Sequence, residues 1–390
     1  MKKIILLLVL VQILTGCSSR DSIHGKIEGI ANQEYKVYLI QPQKLQELAS
    51  SFLGTVIDSA VIRSDGSFAF KNLPKTSKPL LLEVVLQPAG KSPKQLENED
   101  PTNSNYMVVI WQQDEHLFIS ASAKSFQQSF SLENPSEANK ALLELRDIKL
   151  KAYKEFIQNK HWNVEEGAQL LDKEKALLKY QSQLMAFAEE TNQFLPAMVA
   201  LRWVSPANDY ERIPEFLFNQ CEKWKTSEPN NPWAEQLCNQ SKVSNLPLLT
   251  GASFPEAELP VLSGETISIY ESLGTKLTII DLWASWCAPC RTENREVLVP
   301  LWKEYHKKGL QIIGYGLESD KIAWESAVNK DGAQLWPQAS HLQGDDTPFL
   351  KTLRIQTIPA NFILDASGKV VAKNLHGKDL IQFVKDYIKG

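Results

Sequence analysis

Cysteine is scarce in this chain, histidine is scattered, and charge of neither sign dominates. Five cysteines occur in 390 residues, and only Cys287 and Cys290 form a Cys-x-x-Cys pair. A structural zinc site needs four ligands, and the sequence has neither a second such pair nor a His-x-x-x-His. The histidines, His24, His116, His161, His306, His341 and His376, stand singly and read as ordinary surface or core residues. A net charge of −4 and a pI near 6.0 give no electrostatic case for nucleic-acid binding. No internal repeat is visible. The apolar stretch Ile4 to Leu14 is too short to persist as a membrane-spanning helix. None of these patterns implies a cofactor.

What the N-terminus does contain is informative. Lys2 and Lys3 precede that apolar stretch, and Leu14-Thr15-Gly16-Cys17 closes it. A positive start and a short apolar core make a signal peptide. Leu-Thr-Gly-Cys resembles a bacterial lipoprotein lipobox, which implies a signal peptide over 1–16, cleavage before Cys17, lipidation of Cys17 and a membrane anchor outside the cytoplasm. The alternative is plain secretion with an idle cysteine. Ser18, Ser19 and Arg20 then begin a polar tether. With Cys17 as lipid anchor and Cys287 and Cys290 as a pair, Cys221 and Cys238 remain. In an oxidising compartment they are a candidate structural disulfide, although spacing alone does not bring their Cα atoms within bonding range.

A chain of this length suggests two or three domains. Residues 17–133 read as an all-β, sandwich-like domain, with strands expected at Lys36 to Ile40, Thr55 to Ile62, Ser67 to Phe70, Leu80 to Leu86, Tyr106 to Trp111 and His116 to Ser120. Ser64-Asp65-Gly66-Ser67 is a hairpin signal between two of them. The polar Lys91 to Asn105 stretch reads as a loop. This region carries no catalytic constellation. It resembles the N-terminal domain of unknown function ahead of many lipoprotein thioredoxin-like domains. From 134 to 246 the period changes to that of a helical linker domain, with leucine-rich runs at 142–150 and 170–184 and later helices at Pro196 to Trp203, Tyr210 to Trp224 and Trp233 to Asn239. A Pro- and Gly-bearing stretch, Leu246 to Pro260, leads into the third region, 249–390.

In that region strands and helices alternate and a hairpin follows near the end, which predicts an α/β fold with a mixed sheet between helices. The apolar run Leu277 to Trp283 reads as a buried strand, and the charged segment from Arg291 to Lys308 as one long helix. Trp286-Cys287-Ala288-Pro289-Cys290 lies at the turn between them. The first cysteine then faces unpaired N–H groups and the positive end of the helix dipole, which favours the nucleophilic thiolate. Pro289 fits a first helical turn because its missing N–H would have no partner there.

Gly251 to Pro255, Leu277 to Glu293, Gly309 to Ile313 and Ile358 to Lys369 together resemble a TlpA/ResA-like thiol–disulfide oxidoreductase of the thioredoxin superfamily. The resemblance covers 249–390. It implies that Cys287 is the attacking nucleophile and that Cys290 resolves the mixed disulfide. It also implies a cis peptide at Ile358-Pro359 facing the cysteines, with the Ile358 main chain free to pair with an extended substrate. Without it, an ordinary trans proline starting a strand is the expectation. Asp281, a lone carboxylate in an apolar strand, reads as a buried acid with a raised pKa suited to proton exchange with Cys290. The other reading is a strand-end Asp reaching solvent. Glu293 matches an acid the ResA-like group uses near its site, or it only complements the helix dipole. Members usually carry a proline two residues beyond this Glu, where this chain has Arg295, with Pro300 further on. Trp286 reads as an apolar platform beside Cys287, and Trp283 as core.

The function expected is a membrane-tethered envelope enzyme that reduces protein disulfides, its partners being protein thiol or disulfide substrates and a membrane electron donor. The resemblance implies that such reductants keep apocytochrome or metallochaperone thiols reduced, as in cytochrome c maturation. A disulfide-forming oxidant and a non-catalytic scaffold lipoprotein are the alternatives. Peroxiredoxin chemistry is disfavoured, because a Thr belongs three residues before its reactive Cys and Ala284 stands there.

Overall fold

In the computed structural model residues 22–389 are described, apart from 31–32, 50–53, 94–99, 114 and 165–168. The signal segment 1–16, Cys17 and its tether lie outside the described residues, as does part of the expected loop at 91–105. The chain divides into two compact units, Met1–Pro42 with Gly54–Lys140, and Gln43–Leu53 with Ala141–Gly390. The helices expected as a separate linker region thus fall largely in the same unit as the C-terminal fold.

The first unit holds two four-stranded sheets, the β-rich region expected. One runs Thr55–Val61, Tyr35–Gln41, Leu80–Pro88, Tyr106–Trp111. The other runs Ser67–Ala69, Ser22–Glu28, His116–Ser122, Ser131–Leu132. Ser22–Glu28, absent from the expected strands, pairs in parallel with His116–Ser122. Its inward residues are Ile23, Gly25 and Ile27, so its apolar signal is weak. Glycine is required there, because a Cβ on Gly25 would strike the main chain of Ile119. The edge strand Tyr106–Trp111 is capped by Asn139, whose amide donates to the Ile110 carbonyl at 2.7 Å and accepts the Ile110 N–H at 2.9 Å. Exposed pairing groups on a sheet edge are thereby removed.

In the second unit, helices at Leu170–Glu190, Phe194–Val204, Pro214–Ser227 and Pro232–Gln240 precede the α/β fold. Phe194–Val204 is buried almost throughout. Its Arg202 is 1% exposed and donates, among the described residues, to neutral acceptors, the carbonyls of Leu48, Gln46, Ser205 and Pro206 and the Asn208 side chain. A buried cation is tolerated when its donors are satisfied. That requirement ties the Gln43–Leu53 segment to this unit.

The C-terminal fold is thioredoxin-like. Its five-stranded sheet has the order Gln338–Ala339, Leu310–Gly316, Leu277–Trp283, Ala360–Asp365, Val370–Lys373. Leu277–Trp283 occupies the centre, parallel to Leu310–Gly316 and antiparallel to Ala360–Asp365, and all seven of its residues are buried. The final helix, Gly377–Lys389, buries Leu380, Val384 and Ile388, one stripe at helical spacing. The long helix expected as far as Lys308 is interrupted: Ala288–Glu293 and Val299–Tyr305 are α-helical, and Asn294–Leu298 between them is π-helical. Pro300 supplies the reason, since it lacks the N–H that an unbroken ladder would need one turn on.

Candidate active site

The Leu277–Trp283 strand ends in a turn in which the Cys287 N–H donates to the Ala284 carbonyl at 3.1 Å. Cys287 is the N-cap of Ala288–Glu293, and its Sγ accepts the Cys290 N–H at 3.3 Å. Cys287 and Cys290 are joined as a disulfide with Cα atoms 5.3 Å apart. Both are buried, at 5% and 2% exposure, while Trp286 beside them is 65% exposed. Trp283 is core, its indole N–H donating to Gln338 Oε1 at 3.1 Å.

The Ile358-Pro359 bond is cis. Leu282 lies opposite Ala360 across antiparallel strands. The end of one strand and the start of the other therefore share an edge of the sheet, which carries both the cysteine turn and Pro359.

Beneath the turn, Asp281 is 4% exposed, between Gly314 and Asn361 on the neighbouring strands. Burial, and secondarily the negative charge of Glu293, push its carboxyl well above the ordinary value of 3.8. Glu293 is 4% exposed rather than a solvated first-turn acid. Its Oε2 lies 2.7 Å from His376 Nδ1, and its Oε1 accepts the Gly377 N–H at 3.1 Å. It therefore serves the positive end of another helix, the last one.

Sequence reasoning missed His376, because 83 positions separate it from Glu293 and its one local signal is its place before a helix. It also missed Glu318. That carboxylate accepts the Ser285 N–H and, at 2.9 Å, the Ser285 hydroxyl, and so holds the residue just before Trp286. Burial raises the Glu318 pKa, against the lowering effect of those two bonds. Arg291 donates to the Ser285 carbonyl at 3.1 Å and pairs with Asp331, which also takes Arg295. Arg295 is thus absorbed into an ion-pair cluster. Cys221 and Cys238 are joined between two helices, with Cα atoms 5.0 Å apart. Among the described residues no cluster of three or more His, Cys, Asp or Glu is placed to hold a metal ion.

Residues 250–373 match the AhpC/TSA family, and residues 1–18 match a prokaryotic membrane lipoprotein lipid attachment site. The thiol-disulfide oxidoreductase ResA of Bacillus thuringiensis subsp. konkukian (strain 97-27) is 26% identical over 139 residues, 36% of this chain and 76% of that protein. The thiol:disulfide interchange protein DsbE of Pseudomonas fluorescens biotype C is 25% identical over 125 residues, 31% of this chain and 64% of that one. Among solved structures, a thiol-disulfide oxidoreductase from Bacteroides fragilis NCTC 9343 is 34% identical, with 35% of this chain and 98% of that chain covered and a TM-score of 0.32.

Proposed function

We propose that this chain, whose C-terminal domain is a thioredoxin-like domain of the AhpC/TSA family, is a lipid-anchored envelope thiol–disulfide oxidoreductase that reduces protein disulfides through Cys287 and Cys290. The observation that carries the reading is Cys287 at a helix N-terminus with its Sγ accepting the Cys290 N–H. Charge on that sulfur is stabilised by the N–H group and by the dipole, and the stabilised thiolate is the attacking species.

In the reduced enzyme the Cys287 thiolate attacks one sulfur of a substrate disulfide. A chain–substrate disulfide forms, the substrate's own S–S bond breaks, and the first substrate thiolate leaves. Cys290 then gives its proton to the carboxylate of Asp281 and attacks Cys287 Sγ. The mixed disulfide breaks, the second substrate thiolate leaves and takes up a proton, and the Cys287–Cys290 disulfide is restored. Two electrons have passed to the substrate, and a dithiol donor at the membrane returns them. Trp286, exposed beside Cys287, offers the substrate an apolar face, and Ile358 offers main-chain pairing.

The tests are direct. Cys287→Ser abolishes disulfide reduction, whereas Cys290→Ser accumulates mixed disulfides that resist turnover. Wild-type rates in both variants would sink the assignment. A reduction potential near about −270 mV marks an electron donor, and one near about −120 mV would reverse the direction to disulfide formation.

A further inference from the structure

The loop that carries Ile358 and Pro359 is held from outside its own fold. Glu211 and Arg212 lie between the helices Phe194–Val204 and Pro214–Ser227, in the same compact unit. Glu211 Oε1 accepts the Gln356 N–H at 3.2 Å and the Thr357 N–H at 3.1 Å. Arg212 donates to the Pro359 carbonyl at 3.0 Å and to Asn374 Oδ1 at 3.1 Å, with Glu174 3.5 Å away. The turn bearing this pair is itself fixed. Tyr210 donates its hydroxyl proton to the Leu201 carbonyl at 3.0 Å, and buried Arg202 donates to Asn208 Oδ1 at 3.0 Å.

Each main-chain N–H of the loop needs a partner. The Ile355 N–H goes to the Leu350 carbonyl, those of Gln356 and Thr357 go to Glu211, and Pro359 has none. Among the described residues, the Ile358 N–H is the one in this loop left without a partner. It lies at the sheet edge that carries Cys287. Glu211, Gln356 and Thr357 also line a cavity of about 660 Å³ together with apolar residues such as Leu217, Leu350 and Ile355, a mixed recess beside the loop for the side chains of a bound polypeptide.

We propose that Glu211 and Arg212 are positioning residues for substrate, holding the Gln356–Pro359 loop so that Ile358 pairs with an extended polypeptide beside its disulfide. The proposal rests on the disulfide-exchange reading above. It assigns the helical segment a part in substrate recognition, through a carboxylate and a guanidinium that never touch the reacting sulfurs.

Two measurements on the full-length chain test it. The first follows the Ile358 amide resonance during titration with S-carboxymethylated insulin B chain, an extended polypeptide that cannot exchange disulfides. The Ile358 signal shifts in the wild type. Binding weakens about tenfold in Glu211→Ala and by less than about threefold in Glu211→Gln, whose amide oxygen still accepts N–H groups. The second measures insulin reduction: in Glu211→Ala and Arg212→Ala, KM rises about tenfold while kcat changes by less than about threefold. An unmoved Ile358 resonance, equal binding by all variants, a Gln variant as impaired as Ala, or a loss confined to kcat would each overturn the proposal. A wild-type chain that binds the B chain at Ile358 but reduces no insulin would sink the catalytic reading and leave the positioning role standing.

Discussion

Asp281 carries the sharpest consequence of burial in this site. Its carboxyl is held above its ordinary range by burial first and by Glu293 second. The folded chain thus keeps a proton that the unfolded chain has lost at the same pH. Between the ordinary value and the raised one the folded state binds more protons, so stability falls as pH rises through that window and is full only below it. Asp281→Asn removes this slope. The variant gains stability over wild type at pH 7, by about 1.4 kcal/mol for each unit of displacement, and the gain vanishes toward pH 3. Thermal melts across pH read the difference, and a variant no more stable at pH 7 than wild type contradicts the burial argument. The same change slows turnover about a hundredfold if the carboxylate takes the Cys290 proton. Glu293→Gln lowers the Asp281 midpoint, observable by carbon-13 titration, without restoring it to 3.8, because burial remains the larger cause.

At the scale of elements, the expected pattern is most faithful where one segment contains its own signal. Leu277 to Trp283 is apolar throughout and is a strand over those same residues. The helices around 142–150, 170–184, 196–203 and 233–239 are present with ends moved by a few residues. Short or diluted signals fail: Gln338–Ala339 has two residues, and Ser22–Glu28 has a glycine where a third apolar residue would stand. The π-helical stretch at Asn294–Leu298 was legible only as a displaced proline. Site residues follow the same division. Cys287, Cys290 and Asp281 are close in sequence, whereas His376, Glu318, Glu211 and Arg212 reach their places through tertiary structure, which no local pattern encodes. Cys221 and Cys238 sit between, with a separation of 17 that favours a bond without specifying one. A loop of that size restricts the unfolded chain by about 3 kcal/mol. Replacing both cysteines by serine therefore lowers the denaturation midpoint and steepens the denaturant dependence as the unfolded chain expands, and an unaltered midpoint would show the bridge to be idle.

For the whole molecule, the two ends of the chain set separate conditions on function. The groups proposed for disulfide exchange all lie in the Gln43–Leu53 and Ala141–Gly390 unit, while the proposed lipid anchoring rests on the attachment site matched over residues 1–18. Among the described residues no helix is long and apolar enough to cross a membrane. The proposed anchor is a lipid on Cys17, within the matched attachment site, each buried lipid CH₂ contributing about 0.8 kcal/mol. Cys17→Ser separates the two conditions. The variant loses incorporated palmitate and moves from the membrane to the soluble fraction on cell fractionation. Because Cys17 contributes nothing to the exchange chemistry, purified Cys17→Ser reduces insulin with the kcat and KM of the unlipidated wild-type chain. A Cys17→Ser protein that keeps its palmitate and stays with the membrane would place the anchor elsewhere in the chain.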